Sequence, residues 1–263
     1  MPNPLPPHLH RYGPWALITG ASSGIGETLA GRLAALGFHV VLAGRRADAL
    51  AAVAARIERD HRVQTRCVQV DLSEPGATDA LDRDTADLDL GLIVLNAGAG
   101  SAGPFLDRDD AAEAALIRLN CAAVVDGARR FGARLRDRGG GSILFLSSIL
   151  AFQGSPLSAT YGASKAFVQA FAESLTVELR AHQIDVLCFA IGPTHTQFAD
   201  HAGMRLGRAM SVDAVVNDMV GALGGRGTRF PGWLSKALRA LTFALPRWVA
   251  TRIFGGAMAG MVA

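Results

Sequence analysis

Short apolar runs alternate with longer amphipathic segments along most of this chain. Six runs are aliphatic and close near a small or polar residue, as buried strands do; they cover residues 15–19, 38–43, 63–70, 91–95, 142–146 and 184–191. Between them, apolar residues recur at helical spacing over residues 25–36, 47–60, 75–83, 109–137 and about 159–182. This alternation predicts right-handed crossovers and a doubly wound α/β fold, in which helices cover both faces of a parallel sheet. Neither a repeat nor a linker interrupts it, so we expect one domain over residues 1–263, with a proline-rich lead-in at 1–14.

The last segment, residues 231–263, has a different pattern. Leucines at helical spacing are mixed with basic residues, and Pro246 is predicted to divide the segment into two helices. The positions concerned are Leu234, Leu238, Leu241 and Leu245, with Lys236, Arg239, Arg247 and Arg252. This extension could be a wall of a substrate pocket, a subunit interface, or a basic amphipathic anchor on a membrane surface. We favour packing against the protein's own body or a partner, with membrane contact as the alternative, and the apolar character hints at a hydrophobic substrate.

Composition and charge exclude several classes of protein. The chain has 263 residues, half of them apolar, and a formal net charge of +3, which is too small to argue for a nucleic-acid partner. The three cysteines are far apart and lie in apolar segments, so we expect buried free thiols and no metal site. The first residues lack the apolar core of a signal peptide, and no apolar stretch approaches the ~20 residues of a membrane-spanning helix. We therefore expect a cytoplasmic protein.

A glycine-rich loop joins the first predicted strand to the first predicted helix. Its sequence, TGASSGIG over residues 19–26, places glycines where a tight turn lets backbone N–H groups and a helix N-terminus approach a pyrophosphate. The spacing is GxxxGxG, which by itself is weak evidence, and a purely structural turn is the alternative.

A tyrosine and a lysine four residues apart organise the stretch that follows the fifth strand. Tyr161 and Lys165 are predicted to lie on one face of a helix, one turn apart. An ammonium group near the phenol favours its ionised form, so we expect a buried Lys165, together with the positive charge of a bound cofactor, to lower the pKa of Tyr161 toward neutrality. An ordinary amphipathic helix would explain this pair equally well if it stood alone.

These motifs together resemble the short-chain dehydrogenase/reductase family over about residues 15–230. The loop at 19–26 matches the family's TGxxxGIG, residues 96–98 match its NAG motif, and the Tyr161–Lys165 spacing matches its catalytic pair. The resemblance implies a Rossmann-type fold and hydride transfer between a nicotinamide and a carbonyl or secondary alcohol. The cofactor contacts that it implies are Gly20, Ser22, Ser23, Gly24, Ile25, Gly26, Asp71, Leu72, Asn96, Ala97, Gly98, Tyr161, Lys165, Gly192, Thr194 and Thr196.

The end of the second strand predicts which nicotinamide cofactor binds. A carboxylate there would accept a hydrogen bond from the ribose of NAD(H), whereas arginine suits the 2′-phosphate of NADP(H). This chain has Arg45 and Arg46, and the first carboxylate is Asp48. We therefore predict NADP(H) rather than NAD(H), unless the two arginines only begin a solvated helix.

Four residues correspond to the family's catalytic set: Asn120, Ser148, Tyr161 and Lys165. In the family, the asparagine bends its helix and holds a water of a proton relay, although an exposed or capping asparagine is the simpler interpretation. Ser148 lies thirteen positions before Tyr161, the family's usual spacing, and its neighbour Ser147 is the alternative because strand alternation turns only one of them to the cleft. The resemblance implies that the serine binds the substrate oxygen, the tyrosine exchanges the proton, and the lysine holds the ribose.

The loop after the sixth strand departs from the family pattern, since Ile191 stands where proline is usual. We expect a mobile lid over residues 194–208, whose His195 and His201 are loop histidines rather than metal ligands. The preferred function is an NADPH-dependent carbonyl reductase, or the reverse alcohol dehydrogenase, working as a homodimer or homotetramer through its long helices. A dinucleotide-binding sensor or scaffold without turnover, and a non-redox epimerase or lyase of the same family, are the alternatives.

Overall fold

Seven strands form one sheet in the computed structural model, which describes residues 4–205, 207 and 209–262, with the backbone alone at 200 and 201. All the strand pairs are parallel, and the order across the sheet is β3-β2-β1-β4-β5-β6-β7. The strands are β1 Trp15–Thr19, β2 His39–Gly44, β3 Thr65–Gln69, β4 Leu90–Leu95, β5 Gly141–Ser148, β6 Ile184–Ile191 and β7 Gly227–Arg229.

Ten α-helices accompany the strands among the described residues: α1 Gly24–Ala35, α2 Ala47–His61, α3 Ala77–Arg83, α4 Asp110–Ile117, α5 Ala123–Arg138, α6 Ala159–Glu178, α7 Gln197–His201, α8 Val212–Gly221, α9 Gly232–Ala244 and α10 Arg247–Val262. None of them combines the length and the apolar character needed to cross a bilayer.

The sheet has a separate apolar core on each face, because successive strand residues point to opposite sides. On one face, Ile18 of β1 belongs to a cluster with Leu33 of α1 and Val216 of α8. On the other face, Leu17 belongs to a cluster with Phe131 of α5 and Val168 of α6. The predicted doubly wound α/β fold is confirmed.

The order of the strands reverses beside β1. The chain moves outward from β1 to β2 and β3, then returns to pair β4 with the other side of β1. Such a reversal leaves a crevice at the carboxyl ends of the two central strands, where open α/β sheets bind their ligands. The glycine-rich loop follows β1 and residues 96–100 follow β4, so both predicted motifs lie at this crevice.

Several segments differ from the sequence-based expectation. The helix predicted over residues 109–137 is interrupted by a π-helical turn at Arg118–Ala122, and the next predicted helix ends at Glu178 before a 3₁₀ turn. β7 has only three residues, too few for a periodic pattern, and α8 begins where the Ser211 hydroxyl accepts a hydrogen bond from the Ala214 N–H at 3.3 Å.

The lead-in and the cysteines also differ from what we expected. Part of the lead-in is ordered as a 3₁₀ helix, Pro7–Tyr12, whose Tyr12 hydroxyl donates to the buried Asp185 of β6. The thiols are free, but only Cys188 is buried; Cys67 is exposed on the edge strand β3 and Cys121 is half-buried. An edge strand has no neighbour on one side, which explains why an apolar segment leaves a thiol in solvent.

Candidate active site

A cleft of about 600 Å³ lies at the carboxyl ends of the strands. One part of its lining is the glycine-rich loop with the ends of β2 to β6, and another part comes from α6, the 192–204 segment and the two C-terminal helices. The first part carries polar groups and the second is largely apolar. The cleft therefore offers a polar region for a cofactor beside an apolar region for a substrate.

The glycine-rich loop is held to the loop after β4 by hydrogen bonds. Asn96 donates its side-chain amide to the carbonyls of Thr19, at 2.7 Å, and Gly20, at 3.2 Å. In return the Thr19 hydroxyl accepts from the backbone N–H groups of Asn96, at 3.0 Å, and Ala97, at 2.9 Å. Asn96 is thus a structural clamp as well as a residue of the cleft.

Glycines are required in this loop for two different reasons. Gly20 and Gly24 have φ values of +66° and +57°, which a side chain disfavours. At Gly26 a Cβ atom would meet the Gly20 carbonyl oxygen and lie 2.5 Å from the Asn96 amide nitrogen. Of the other predicted contact residues in the loop, Ser22, Ser23 and Ile25 line the cleft with the glycines.

The end of β2 supplies two cationic groups to the rim of the cleft. Arg46 donates to the Ser22 carbonyl at 3.1 Å and to the Ser22 hydroxyl at 3.2 Å, while Arg45 lies 3.9 Å from the Asp71 carboxylate. Burial raises the pKa of Asp71, but hydrogen bonds from Ser73 and the charge of Arg45 outweigh it and hold the pKa below its usual value. Asp71 is therefore an anion that orders this rim, and Leu72 lines the cleft beside it.

Tyr161 and Lys165 lie together on α6, and both are buried. The lysine Nζ is 5.8 Å from the centre of the tyrosine ring and donates to the Leu146 carbonyl at 2.8 Å. Burial raises the pKa of Tyr161 to about 12, opposed by a hydrogen bond with Ser148, and burial lowers the pKa of Lys165 to about 8. In the protein alone, the pKa of the phenol is not lowered as expected from the neighbouring amine, because burial disfavours the charged phenolate.

The two adjacent serines at the end of β5 have different surroundings. Ser148 is hydrogen-bonded to Tyr161, and its hydroxyl accepts from the Leu150 N–H at 3.2 Å. The Ser147 hydroxyl instead donates to the Lys165 carbonyl at 3.0 Å, so it packs against α6 away from the phenol. Strand alternation thus directs Ser148, rather than Ser147, toward Tyr161. This is the orientation that a substrate-binding role of Ser148 requires.

Asn120 lies inside the π-helical turn and is buried rather than exposed. Its carboxamide makes a two-way pair with Ala99, accepting from the N–H at 2.9 Å and donating to the carbonyl at 2.8 Å. The same amide group donates to the Ser164 hydroxyl of α6 at 3.0 Å. π-turns often occur at functional sites, and this one links the loop after β4 to the helix of Tyr161.

The segment after β6 is only partly covered by the described residues. Thr194 is buried, and its hydroxyl donates to the Gly192 carbonyl at 3.0 Å; Thr196 lines the cleft next to Gly24. His195 is exposed and donates its backbone N–H to Met210 at 2.9 Å, whereas Leu206, Arg208 and the side chain of His201 lie outside the described residues. Within the described ranges, no three His, Cys, Asp or Glu side chains come together as a metal site requires.

Sequence reasoning missed most of the apolar lining. Phe198 packs against Tyr161, with 5.5 Å between ring centres, and its neighbours in the wall are Met204, Leu234, Leu238, Phe254, Ala257, Met258 and Met261. Hydrogen bonds attach this wall to the loops, from the Gly192 N–H to Ser235 at 2.9 Å and from the Arg205 N–H to the Met261 carbonyl at 2.7 Å. The inner faces of the helices in residues 231–263 thus form a wall of the pocket, one of the three interpretations of this segment.

Comparisons with known proteins agree with this geometry. The family model of short chain dehydrogenases matches residues 14–205. The chain is 31% identical to a 7beta-hydroxysteroid dehydrogenase of Collinsella aerofaciens over 71% of each protein. Among solved structures, a short-chain dehydrogenase from Sphingobium yanoikuyae in complex with NADPH is 30% identical, with a TM-score of 0.80 over 89% of this chain and 97% of that one. A 7beta-hydroxysteroid dehydrogenase structure is 26% identical, with a TM-score of 0.86 over 94% and 98%.

The matched region extends from the loop before β1 to the segment beyond α7, so it includes the glycine-rich loop, Asn120, Ser148, Tyr161 and Lys165. Fold, motifs and relatives therefore lead to one conclusion. The chain belongs to the short-chain dehydrogenase family and is an oxidoreductase of hydroxyl and carbonyl groups that uses a nicotinamide dinucleotide.

Proposed function

We propose that this protein is an NADPH-dependent reductase of bulky, apolar ketones, or the reverse dehydrogenase. The observation that carries the proposal is the buried group formed by Tyr161, Ser148 and Lys165 at the junction of the polar and apolar parts of the cleft. When bound, NADPH would supply a hydride to the substrate carbon. The remaining steps belong to this chain's own side chains.

Tyr161 acts as the proton donor in this proposal. Its raised pKa keeps the phenol protonated at neutral pH, the state in which it gives a proton to an oxygen that becomes an alkoxide. The Ser148 hydroxyl, already hydrogen-bonded to Tyr161, would orient the substrate oxygen, and Lys165 would hold the ribose of the cofactor. Asn120 positions this group by tying α6 to the loop after β4.

The preference for NADP(H) is supported by Arg45 and Arg46 at the rim and by the relative solved with NADPH. A guanidinium group binds phosphate through paired, charge-assisted hydrogen bonds. Changing both arginines to alanine should raise the KM for NADPH about tenfold or more, since hydrogen bonds to charged groups contribute about 1.5 to 3 kcal/mol. The KM for NADH should stay nearly unchanged, because NADH has no 2′-phosphate. An unchanged KM for NADPH would show that the arginines only begin a solvated helix.

The apolar wall supports a hydrophobic substrate, and a 7beta-hydroxysteroid dehydrogenase among the relatives agrees with a bulky one. We further propose that the enzyme works in the cytoplasm, free or at a membrane surface, as a homodimer or homotetramer. Exposed apolar side chains on α4 and α6, namely Ile117, Phe167 and Val177, support assembly through these helices.

The test is a panel of steroid, aryl and aliphatic ketones assayed by NADPH absorbance with the wild type and Tyr161→Phe. We expect wild-type turnover of bulky ketones, a loss of about a thousandfold in kcat for Tyr161→Phe, and unchanged NADPH binding. Retained kcat in the variant would refute the role of Tyr161. Cofactor binding with no turnover of any ketone or alcohol would favour a sensor or scaffold, and conversion without a change in NADPH absorbance would favour a non-redox member.

A further inference from the structure

The outer faces of α9 and α10 expose an unusual amount of apolar surface. Ten large hydrophobic side chains are exposed among the described residues, and half of them lie on these two short helices: Trp233, Leu241, Phe243, Trp248 and Ile253. The exposed positions of α9 are 233, 236, 237, 240, 241, 243 and 244, and all of them except Lys236 are tryptophan, alanine, leucine or phenylalanine. Exposed apolar patches of this kind mark surfaces that meet another apolar phase.

The charge of this region has one sign. After Asp218 the sequence contains six arginines or lysines and no aspartate or glutamate. Arg247 and Arg252 are exposed on α10, where the Arg252 guanidinium lies 5.3 Å from the centre of the Trp248 ring. Lys236 is exposed on α9 and is 3.7 Å from Asp218, which precedes the acid-free segment. Aromatic side chains next to cations are typical of surfaces that bind lipid headgroups.

The inner faces of the same helices have a second role. Leu238 of α9 and Phe254 and Met258 of α10 line the cleft, and the Thr251 hydroxyl of α10 accepts from the Gly154 N–H at 3.2 Å. Each helix thus carries large apolar side chains on two sides, one facing the substrate region and one facing outward, where they alternate with Lys236, Arg247 and Arg252. A helix that only closed a pocket would need polar residues on its outer side.

A second copy of the chain is a poor occupant for this surface. A two-fold contact brings two patches of the same positive charge together, and the acid-free segment supplies no carboxylate to pair with Arg247 and Arg252. An anionic bilayer complements both kinds of side chain on this surface: its apolar interior suits the tryptophans, and its negative headgroups suit the arginines.

From these observations we propose that the outer faces of α9 and α10 dock on an anionic lipid bilayer. The consequence for turnover, which rests on the proposed function, is that a ketone dissolved in lipid enters a cleft separated from the bilayer by about 10 Å, one helix diameter. Binding to lipid itself does not depend on turnover, so the two proposals fail separately.

The tryptophans give a direct measurement of docking on the full-length protein. The chain has three tryptophans, of which Trp15 of β1 is buried, while Trp233 and Trp248 are 57% and 64% exposed. With vesicles of equal parts phosphatidylserine and phosphatidylcholine, we expect wild-type emission to shift to shorter wavelength and lipid carrying bromine in its chains to quench it. Vesicles of phosphatidylcholine alone should produce neither change. The double variant Trp233→Phe and Trp248→Phe should still sediment with the anionic vesicles and lose the shift, because Trp15 stays in the core.

A charge-matched pair of variants tests the electrostatic part. Arg247→Glu with Arg252→Glu should weaken binding to the anionic vesicles at least about twentyfold, since each basic residue near such a surface contributes about fivefold. Arg59→Glu with Arg83→Glu changes the net charge equally at exposed sites on α2 and α3, and should weaken binding less than threefold, below the contribution of a single interfacial basic residue.

Three outcomes would overturn the proposal. Equal weakening by the two pairs would show attraction to net charge alone, and no wavelength shift with anionic vesicles would show that the tryptophans do not enter lipid. If Trp233→Phe with Trp248→Phe converted an oligomer to a monomer in sedimentation without vesicles, the patch would be a subunit contact. A protein that binds vesicles as expected but reduces no ketone would refute the proposed function and leave the docking surface intact.

Discussion

The two walls of the cleft are built by different means. The cofactor wall is held by hydrogen bonds among Thr19, Asn96 and the backbone of the glycine-rich loop, at distances of 2.7 to 3.2 Å. The substrate wall consists mainly of packed apolar side chains on α9 and α10, attached by a few hydrogen bonds such as that from Gly192 to Ser235.

This difference predicts how each wall responds to change. A hydrogen-bonded backbone loop has few alternative geometries, so one added atom displaces several partners at once. A wall of leucine, methionine and phenylalanine adjusts to changes of one methylene, because such side chains repack at small cost. The cofactor wall should therefore be intolerant and common to relatives, and the substrate wall tolerant and specific to its substrate.

The largest expected effect is that of Gly26→Ala in the cofactor wall. The new methyl group would overlap the Gly20 carbonyl and approach the Asn96 amide, so the loop must move. We expect a loss of about 3 kcal/mol in the free energy of unfolding, measured in urea, and about a hundredfold weaker NADPH binding, measured by fluorescence titration.

Gly31→Ala is the matched control on the same helix. A Cβ atom at Gly31 meets nothing within 4 Å, so alanine should stabilise α1 by about 0.5 to 1 kcal/mol and leave NADPH binding unchanged. Equal effects of the two substitutions would contradict the view that close contact, rather than helix propensity, fixes glycine at position 26.

The next effect is a pH dependence that comes from the buried amine between the two walls. Lys165 has a pKa of about 8 when folded and an ordinary value of 10.5, so between these pH values the unfolded chain keeps a proton that the folded chain has released. The free energy of unfolding therefore rises with pH over this interval, by about 2 to 3 kcal/mol from Lys165 alone. Below pH 8 both states hold the proton, and the contribution no longer changes.

Urea unfolding at pH 8 and pH 10 measures this contribution as the difference between the wild type and Lys165→Met. The free energy of unfolding of the wild type, relative to that of Lys165→Met, should increase as the pH rises. Both proteins contain Tyr161, whose pKa is raised, so the comparison cancels its opposite contribution. The chain's other lysine, Lys236, is exposed, and Lys236→Met is the control. A gap that is the same at both pH values would show that the amine is not buried as a cation in the folded chain.

Sequence was a good guide to the cofactor wall because its constraints are local. The pattern of apolar runs gave all six of the predicted strands to within about two residues, as periodicity should for buried parallel strands. The glycines at 20, 24 and 26 could be read directly, since positive φ and close backbone approach have few other solutions.

The rest depended on contacts between residues distant in the sequence. The π-turn at Arg118–Ala122 has no periodic pattern in the sequence. The role of its Asn120 follows from hydrogen bonds with Ala99 and Ser164, which are distant in the sequence. The raised pKa of Tyr161 in the protein alone was not predicted, because helical spacing reveals the neighbouring amine but not the burial of the phenol. Leucine spacing at residues 231–263 predicted helices. The spacing did not predict which helix face lines the cleft, because that depends on hydrogen bonds with Gly154 and Gly192.

The smallest expected effect compares the two faces of one helix in the substrate wall. Leu238 lines the cleft, while Leu241, on the outer face of α9, is 41% exposed. Removing one methylene by Leu238→Val should raise the KM for a bulky apolar ketone up to about fourfold, since a buried methylene contributes about 0.8 kcal/mol, and should leave the KM for NADPH unchanged. Leu241→Val carries the same cost in helix propensity but should leave both KM values unchanged and affect only binding to anionic vesicles.

If the two variants changed the ketone KM equally, the effect would come from the stability of α9 and not from contact with the substrate. A change in the KM for NADPH with either variant would show that the two walls are coupled, against the comparison drawn above.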